Sequence, residues 1–145
     1  MFNRIFGLLF GFWLTRARRN ARPIAWKPPI SRLNKQMPWT MRELHPRVTK
    51  IRGNSANQYR EFELVFDRFR LRIVLLGSEL DEILFVGPGE GWGTRVDHVQ
   101  KELALKSGRS KEIQPVILNY NELDEFLQAQ YPALNEYYSN ETKLG

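Results

Sequence analysis

From Tyr59 to Leu75 apolar side chains alternate with polar ones, and the parity of the alternation switches part way along. Phe62, Leu64 and Phe66 share one parity; Phe69, Leu71, Ile73 and Leu75 share the other. Successive side chains of a strand point to opposite faces, so a tight reversal at Asp67-Arg68 brings the two runs onto one face. It sets Phe66 opposite Phe69, Leu64 opposite Leu71 and Phe62 opposite Ile73, while Glu63 meets Arg72 on the other face. The pattern predicts a β-hairpin, with a single strand bent by a bulge as the alternative. A first strand is expected at Arg47–Arg52, ended by the turn-rich 53–57. A short, wholly apolar strand is expected at Ile83–Val86, after a polar turn from Gly77 to Glu82.

Past the glycine-rich stretch 87–93 the period changes from two to between three and four. Val96, Val99 and Leu103 fall on one helical face, Thr94 is placed to cap that helix with Asp97 as its capping-box partner, and Ser107-Gly108 ends it. Pro115 to Leu118 suits a last short strand. Asn121 is expected to cap a second helix whose first turn holds Glu122, Asp124 and Glu125, the right sign for the helix dipole, and whose buried stripe is Leu123, Phe126 and Leu127. Pro132 then opens a further helical turn with Leu134 and Tyr137, and the end from Asn140 reads as frayed. The expected fold is α+β: a small antiparallel β-meander of three to five strands packed by two or three helices. It occupies residues 47–145.

The first 46 residues differ in kind. Residues 23–46 hold Pro23, Pro28, Pro29, Pro38 and Pro46, with Trp26 and Trp39 among basic residues. Proline at this density argues for an extended arm rather than a regular element. The two tryptophans are costly to leave in water, so the arm is expected to lie against something, its own domain included. Residues 1–22 read as an apolar and basic N-terminal helix built on IFGLLFGFWL. Ten helical residues cover roughly 15 Å, half of a hydrocarbon core of roughly 30 Å, which disfavours a membrane-spanning helix. A secretory signal lacks its small-residue cleavage site, and a mitochondrial presequence would hold more serine. Two readings stand level: insertion of Phe2, Ile5, Phe6, Leu9, Phe10 and Trp13 among lipids, or their docking in a groove of a neighbouring subunit.

Charge sharpens the division. Nine of the 22 basic side chains precede Glu43, and all 16 acidic ones follow Arg42. Such an arm seeks an anionic partner: nucleic acid, a lipid headgroup layer or an acidic protein surface. The candidate contacts are Arg16, Arg18, Arg19, Arg22, Lys27, Arg32, Lys35 and Arg42, joined in the body by Arg70 and Arg72. Arg68, Arg70 and Arg72 would form a strip at two-residue spacing, with Lys50, Arg52 and Arg60 near in sequence and Tyr59 and Trp92 available for stacking. Glu61, Glu63 and Asp67 are placed to neutralise the same arginines.

Chemistry is thinly represented. The chain has no cysteine and two histidines, His45 and His98, so disulfides, thiolate nucleophiles and multi-histidine metal sites are excluded. Cysteine absence fits a reducing intracellular compartment: cytoplasm, organelle matrix or the inside of a virion, with or without attachment to a membrane. The one stretch with a cofactor-like composition is VGPGEGWGT, residues 86–94. A strand, then GPGEG, then a helix opening at threonine resembles the first motif of Rossmann-type S-adenosylmethionine methyltransferases over Ile83 to Thr94. That resemblance implies a nucleotide-like cofactor against the backbone of 87–94 in a doubly wound parallel sheet. Phe85 and Val86 stand where the family carries an acidic residue, and too little chain follows Thr94 for the remaining strands. The spacing misses the third glycine of a dinucleotide loop, and Gly93-Thr94 lacks the lysine of a P-loop. A connection from strand to helix accounts for the same residues.

The sequence therefore leads to a non-enzymatic structural component of a larger assembly, a nucleoprotein or virion-like complex attached through its basic arm. Other protein subunits and nucleic acid are the expected partners; no catalytic residue, metal or cofactor is assigned. A peripheral protein on an anionic membrane face is the alternative, and a small enzyme using the 87–94 loop the outlier.

Overall fold

The computed structural model describes residues 26–53, 58–109 and 111–144, with side chains as far as Ser139. The residues of the N-terminal helix reading, Phe2 to Trp13 and Arg16 to Arg22, lie outside the described residues, as do residues 54–57. Where the apolar parity switches, the chain reverses: the Phe66 N–H donates to the Phe69 carbonyl at 3.0 Å. Strand β2 (Tyr59–Val65) then runs antiparallel to β3 (Arg70–Leu76) with Leu64 opposite Leu71, Phe62 opposite Ile73 and Glu63 opposite Arg72. β1 (Arg47–Arg52) flanks β2, β4 (Glu79–Val86) flanks β3, and a two-residue β5 (Thr94–Arg95) flanks β4, an antiparallel meander in sequence order. Gly77, at φ 67, supplies the left-handed residue that the tight β3–β4 turn requires.

Helices close one face of this sheet. Phe62, Leu64, Leu71, Ile73, Ile83 and Phe85 project from β2, β3 and β4 into a single cluster. Val96, Val99 and Leu103 of the helix Val96–Lys106 enter it, as do Leu123, Leu127, Leu134 and Tyr138 of the long helix Tyr120–Leu144. Phe69 stacks on Tyr138 with ring centroids 5.2 Å apart. Each fully buried side chain of this size contributes about 1.5–3 kcal/mol, so this one layer of contact dominates the fold. The molecule is α+β.

The proline-bearing segment differs from the expected extended arm. It forms helix α1 (Ile30–Gln36) and a π-helical turn, Thr40–Leu44. The prolines account for this by position: Pro28 and Pro29 precede α1, Pro38 follows its end, and Pro46 stands before β1, so none interrupts a helical ladder. Leu33 and Met37, one turn apart, are fully buried in the core cluster, with Trp26 and Trp39 half-buried against it. The arm from Trp26 onward thus lies on its own domain. Its anchor is Asp124, which accepts from the Thr40 N–H at 2.8 Å, the Thr40 hydroxyl at 2.6 Å and the Trp39 N–H at 3.3 Å.

Five local expectations are corrected. Thr94 does not cap a helix: it pairs with Phe85 as part of β5, and the helix that follows, α2 (Val96–Lys106), begins after Arg95 with no side-chain cap. Pro115–Leu118 is not a strand; Gln100 Nε2 ties the Pro115 carbonyl to α2 at 2.8 Å instead. The cap of α3 (Tyr120–Leu144) is Asn119, whose side-chain oxygen accepts from the Glu122 N–H at 2.9 Å, not Asn121. Pro132 opens no new turn, because α3 runs through it without a break. The polar residues from Glu79 also belong to β4, which is longer than its apolar end suggested.

Candidate functional site

Three surfaces carry the candidate residues. The first is the outer side of the docked arm. Turning Leu33 and Met37 inward leaves Lys27, Arg32, Lys35 and Arg42 at exposed positions. Arg32 Nη1 reaches the Ser78 carbonyl at 3.0 Å, and Arg42 meets Glu43 at 3.1 Å with both side chains well exposed. Lys27 and Arg32 also line a small pocket with Trp26, Pro29, Arg60 and Leu75. The Arg60 guanidinium stands over the Trp26 ring at 5.8 Å. Cations with exposed heads at a half-buried aromatic suit phosphate and ring contacts.

The second surface is the glycine loop and the sheet face beneath it. Arg70 and Arg72 do not present a free cationic strip: Glu63, 2% exposed, accepts from Arg70 Nη1 at 3.2 Å and from both Nε and Nη2 of Arg72 at 3.0 and 2.9 Å. The same guanidiniums donate to the carbonyls of Glu90 at 2.7 Å and Gly91 at 3.3 Å, fastening the loop to the sheet. Within the loop the Glu90 carboxylate accepts from the Gly87 N–H at 3.1 Å, so the chain's own acidic side chain takes up that donor. Gly93 has no room for a side chain, since a Cβ there would strike Leu84. The sheet around the loop is antiparallel, so the doubly wound architecture implied by the methyltransferase resemblance is absent. Trp92, 71% exposed, stands at the surface of this loop. Lys50 and Arg60 have the parity of Phe62 and face the opposite side from Arg70 and Arg72, so the expected basic strip is divided between two faces. Partial desolvation, then the charges of Glu61 and Glu82, push the phenol of the exposed Tyr59 above its ordinary value.

The third surface holds no residue of the sequence reading's candidate contacts; it includes Pro115–Leu118, which the sequence suggests as a strand and which is irregular chain. Ile113 is 97% exposed, and Val116, Leu118 and Leu105 are exposed beside it. This segment, α2 and the start of Ile83's strand enclose a groove of about 760 Å³ floored by Val96, Ala104 and Pro115 and rimmed by Asp81, Glu82 and Glu112. Contiguous exposed apolar residues with a polar rim mark contact surfaces. The run Ile113, Val116, Leu118 was the available signal: three large apolar residues with no period that would bury them.

Among the described residues no cluster of His, Asp and Glu could hold a metal ion, and no helix is long and apolar enough to cross a membrane. Comparisons of the chain with models of protein families, with curated proteins and with solved structures find no match.

Proposed function

We propose that this chain is a non-enzymatic structural component of a larger assembly, a nucleoprotein or virion-like complex, attached through its basic N-terminal arm. One observation carries the reading: the arm buries Leu33 and Met37 in its own domain and leaves Lys27, Arg32, Lys35 and Arg42 outward. A segment with no acidic residue before Glu43 thereby becomes a fixed cationic surface rather than a loose one. Fixed cations lose less freedom when they meet phosphates, and each contact releases condensed counterions. The exposed apolar run of Ile113, Val116 and Leu118 supports the protein-contact half of the same reading.

Titration of the full-length chain with single-stranded and duplex nucleic acid at several salt concentrations tests this. Affinity is expected to fall with salt by roughly 0.9 in the log–log slope per phosphate neutralised on duplex DNA and roughly 0.7 on a single strand. Replacing Lys27, Arg32, Lys35 and Arg42 with glutamine should flatten the slope. Binding indifferent to salt, or a slope unchanged in the variant, overturns the reading, and flotation with anionic vesicles in place of nucleic-acid binding would assign the cations to a membrane.

A further inference from the structure

Strand β5 covers only part of the edge of β4. Its two residues pair with Leu84 and Phe85, and the chain then leaves the sheet because Val96 already opens α2. The remaining five residues of β4 inside that pairing, Glu79–Ile83, are bonded to β3 on one side and, among the described residues, to no strand on the other. They present roughly 17 Å of open backbone edge. Leu80 and Ile83 pack on the core, while Glu79 and Glu82 stand opposite Leu76 and Val74 on the outer face. Asp81 is the extra residue where the β3–β4 register shifts, and all three acids are exposed.

The groove of about 760 Å³ begins at this edge. Asp81, Glu82 and Ile83 line it from the sheet, and residues 114–118 line it from the irregular segment. That segment does not fill the open lane: Gln100 Nε2 ties the Pro115 carbonyl to α2 at 2.8 Å, and Pro115 has no N–H to give to a ladder. The charge lining the groove is acidic, with Asp81, Glu82, Asp97 and Glu112 against Arg95 and Lys101. Arg95 is engaged by Asp97 at 3.5 Å and Glu112 by Arg109 at 3.8 Å, which leaves the two carboxylates of the strand edge facing Lys101 alone among the described residues.

We propose that this edge takes an extended, basic segment of a partner protein as an added strand beside β4, in the line that β5 leaves. The open N–H and C=O groups of 79–83 bond the backbone of the added strand. Side chains alternate along a strand, so one set meets the apolar surface of Val96, Ala104 and Ile117 and the other meets Glu79 and Glu82. The occupant this lane fits is therefore a segment in which apolar and basic residues alternate. A second copy of the same edge is refused, because it would bring like charges together across a shifted register. The inference rests on the protein-contact half of the assembly reading and makes no use of the cations of the arm.

Isotope-labelled full-length chain titrated with the synthetic peptide acetyl-Lys-Val-Lys-Ile-Arg-Val-amide, and followed by NMR, tests the assignment. The amides of Leu80–Ile83 and Val116–Leu118 are expected to shift, and exchange of the edge-facing amides of 79–83 to slow. The same peptide with glutamate in place of lysine and arginine should not bind. Only one alternate set of peptide N–H groups faces β4, so N-methylation of that set should abolish binding and methylation of the other should leave it. Glu79→Gln and Glu82→Gln, both at exposed positions, should each weaken binding by about twofold to fivefold at low salt. No binding, shifts outside the groove, equal behaviour of the two methylated peptides, or unchanged affinity in the double variant overturns the proposal. Shifts of the same amides with chain concentration, in the absence of peptide, assign the edge to a second copy and overturn it too. A failed peptide titration beside an intact salt slope for nucleic acid overturns this inference alone; failure of both overturns the assembly reading with it.

Discussion

Replacing Asp124 with alanine should detach the arm from the body. The carboxylate is 7% exposed and accepts from two backbone N–H groups, Thr40 at 2.8 Å and Trp39 at 3.3 Å, and from the Thr40 hydroxyl at 2.6 Å. Alanine leaves those donors beside a small void. Thr40 is itself fully buried, so its N–H and hydroxyl have no ready route to water. An orphaned buried polar group costs about 1–3 kcal/mol, and the long Trp39 bond counts at the low end. The expected loss is about 3–4 kcal/mol, a large fraction of the roughly 5–15 kcal/mol that holds a typical domain folded. Urea unfolding of the full-length chain measures it, and hydrogen exchange at residues 39–44 locates it. Asp124→Asn retains an acceptor and should lose about half as much. With Thr40→Val as the second substitution, a double-mutant cycle should give a coupling energy of about 1 kcal/mol or more. A loss below about 1 kcal/mol, with Thr40 still protected from exchange, would refute the idea that this carboxylate holds the arm.

Other substitutions probe the glycine loop and the core. Gly93→Ala should destabilise by about 1–3 kcal/mol, because the new methyl meets Leu84; an unchanged thermal midpoint would show that the loop yields freely. Glu63→Gln weakens the support of both Arg70 and Arg72 and is expected to cost roughly 1–2 kcal/mol, less than for a fully buried pair since both arginines keep partial access to water. Faster exchange of the Glu90–Trp92 amides should accompany it, and stability lost without that local effect would count against the fastening role. Burial pushes the Tyr120 phenol up to about 12, and its buried oxygen has no hydrogen-bond partner. The folded chain therefore holds this proton after the unfolded chain has released it. The associated stability is complete below pH 10 and declines as pH rises from there towards about 12. Tyr120→Phe should be as stable as the parent or up to about 1 kcal/mol more so, and should remove the highest step of the ultraviolet phenol titration.

The hairpin was legible because two constraints agreed. The apolar parity and the Glu63–Arg72 pairing both demand the same register, and a slip of one residue would violate both. Short-range signals served less well where a longer contact competed. Thr94 has the chemistry of a cap, but pairing with Phe85 claims its backbone for the sheet. Proline density in 23–46 suggested an extended chain because the count carries no positions; the prolines stand between elements, and what makes α1 is the Leu33–Met37 spacing. Asp124 looked like an ordinary first-turn acid of its helix. Its partners lie 84 and 85 residues away, and nothing local announces them. Of the candidate contacts, Lys27, Arg32, Lys35 and Arg42 were legible as charge, whereas the engagement of Arg70 and Arg72 by one carboxylate needed the sheet.

The margin of the sheet at β1 has a consequence for how copies of this chain can meet. Arg47, Lys50 and Arg52 are exposed along a six-residue strand, and the pairing with β2 shifts register between Lys50 and Arg52. An approaching β1 from a second copy would bring three like charges against three and would find an interrupted ladder. Growth into a continuous intermolecular sheet is therefore opposed at that margin. Pairing of two copies β1 against β1 gives way to contact through side-chain surfaces, which can be saturated.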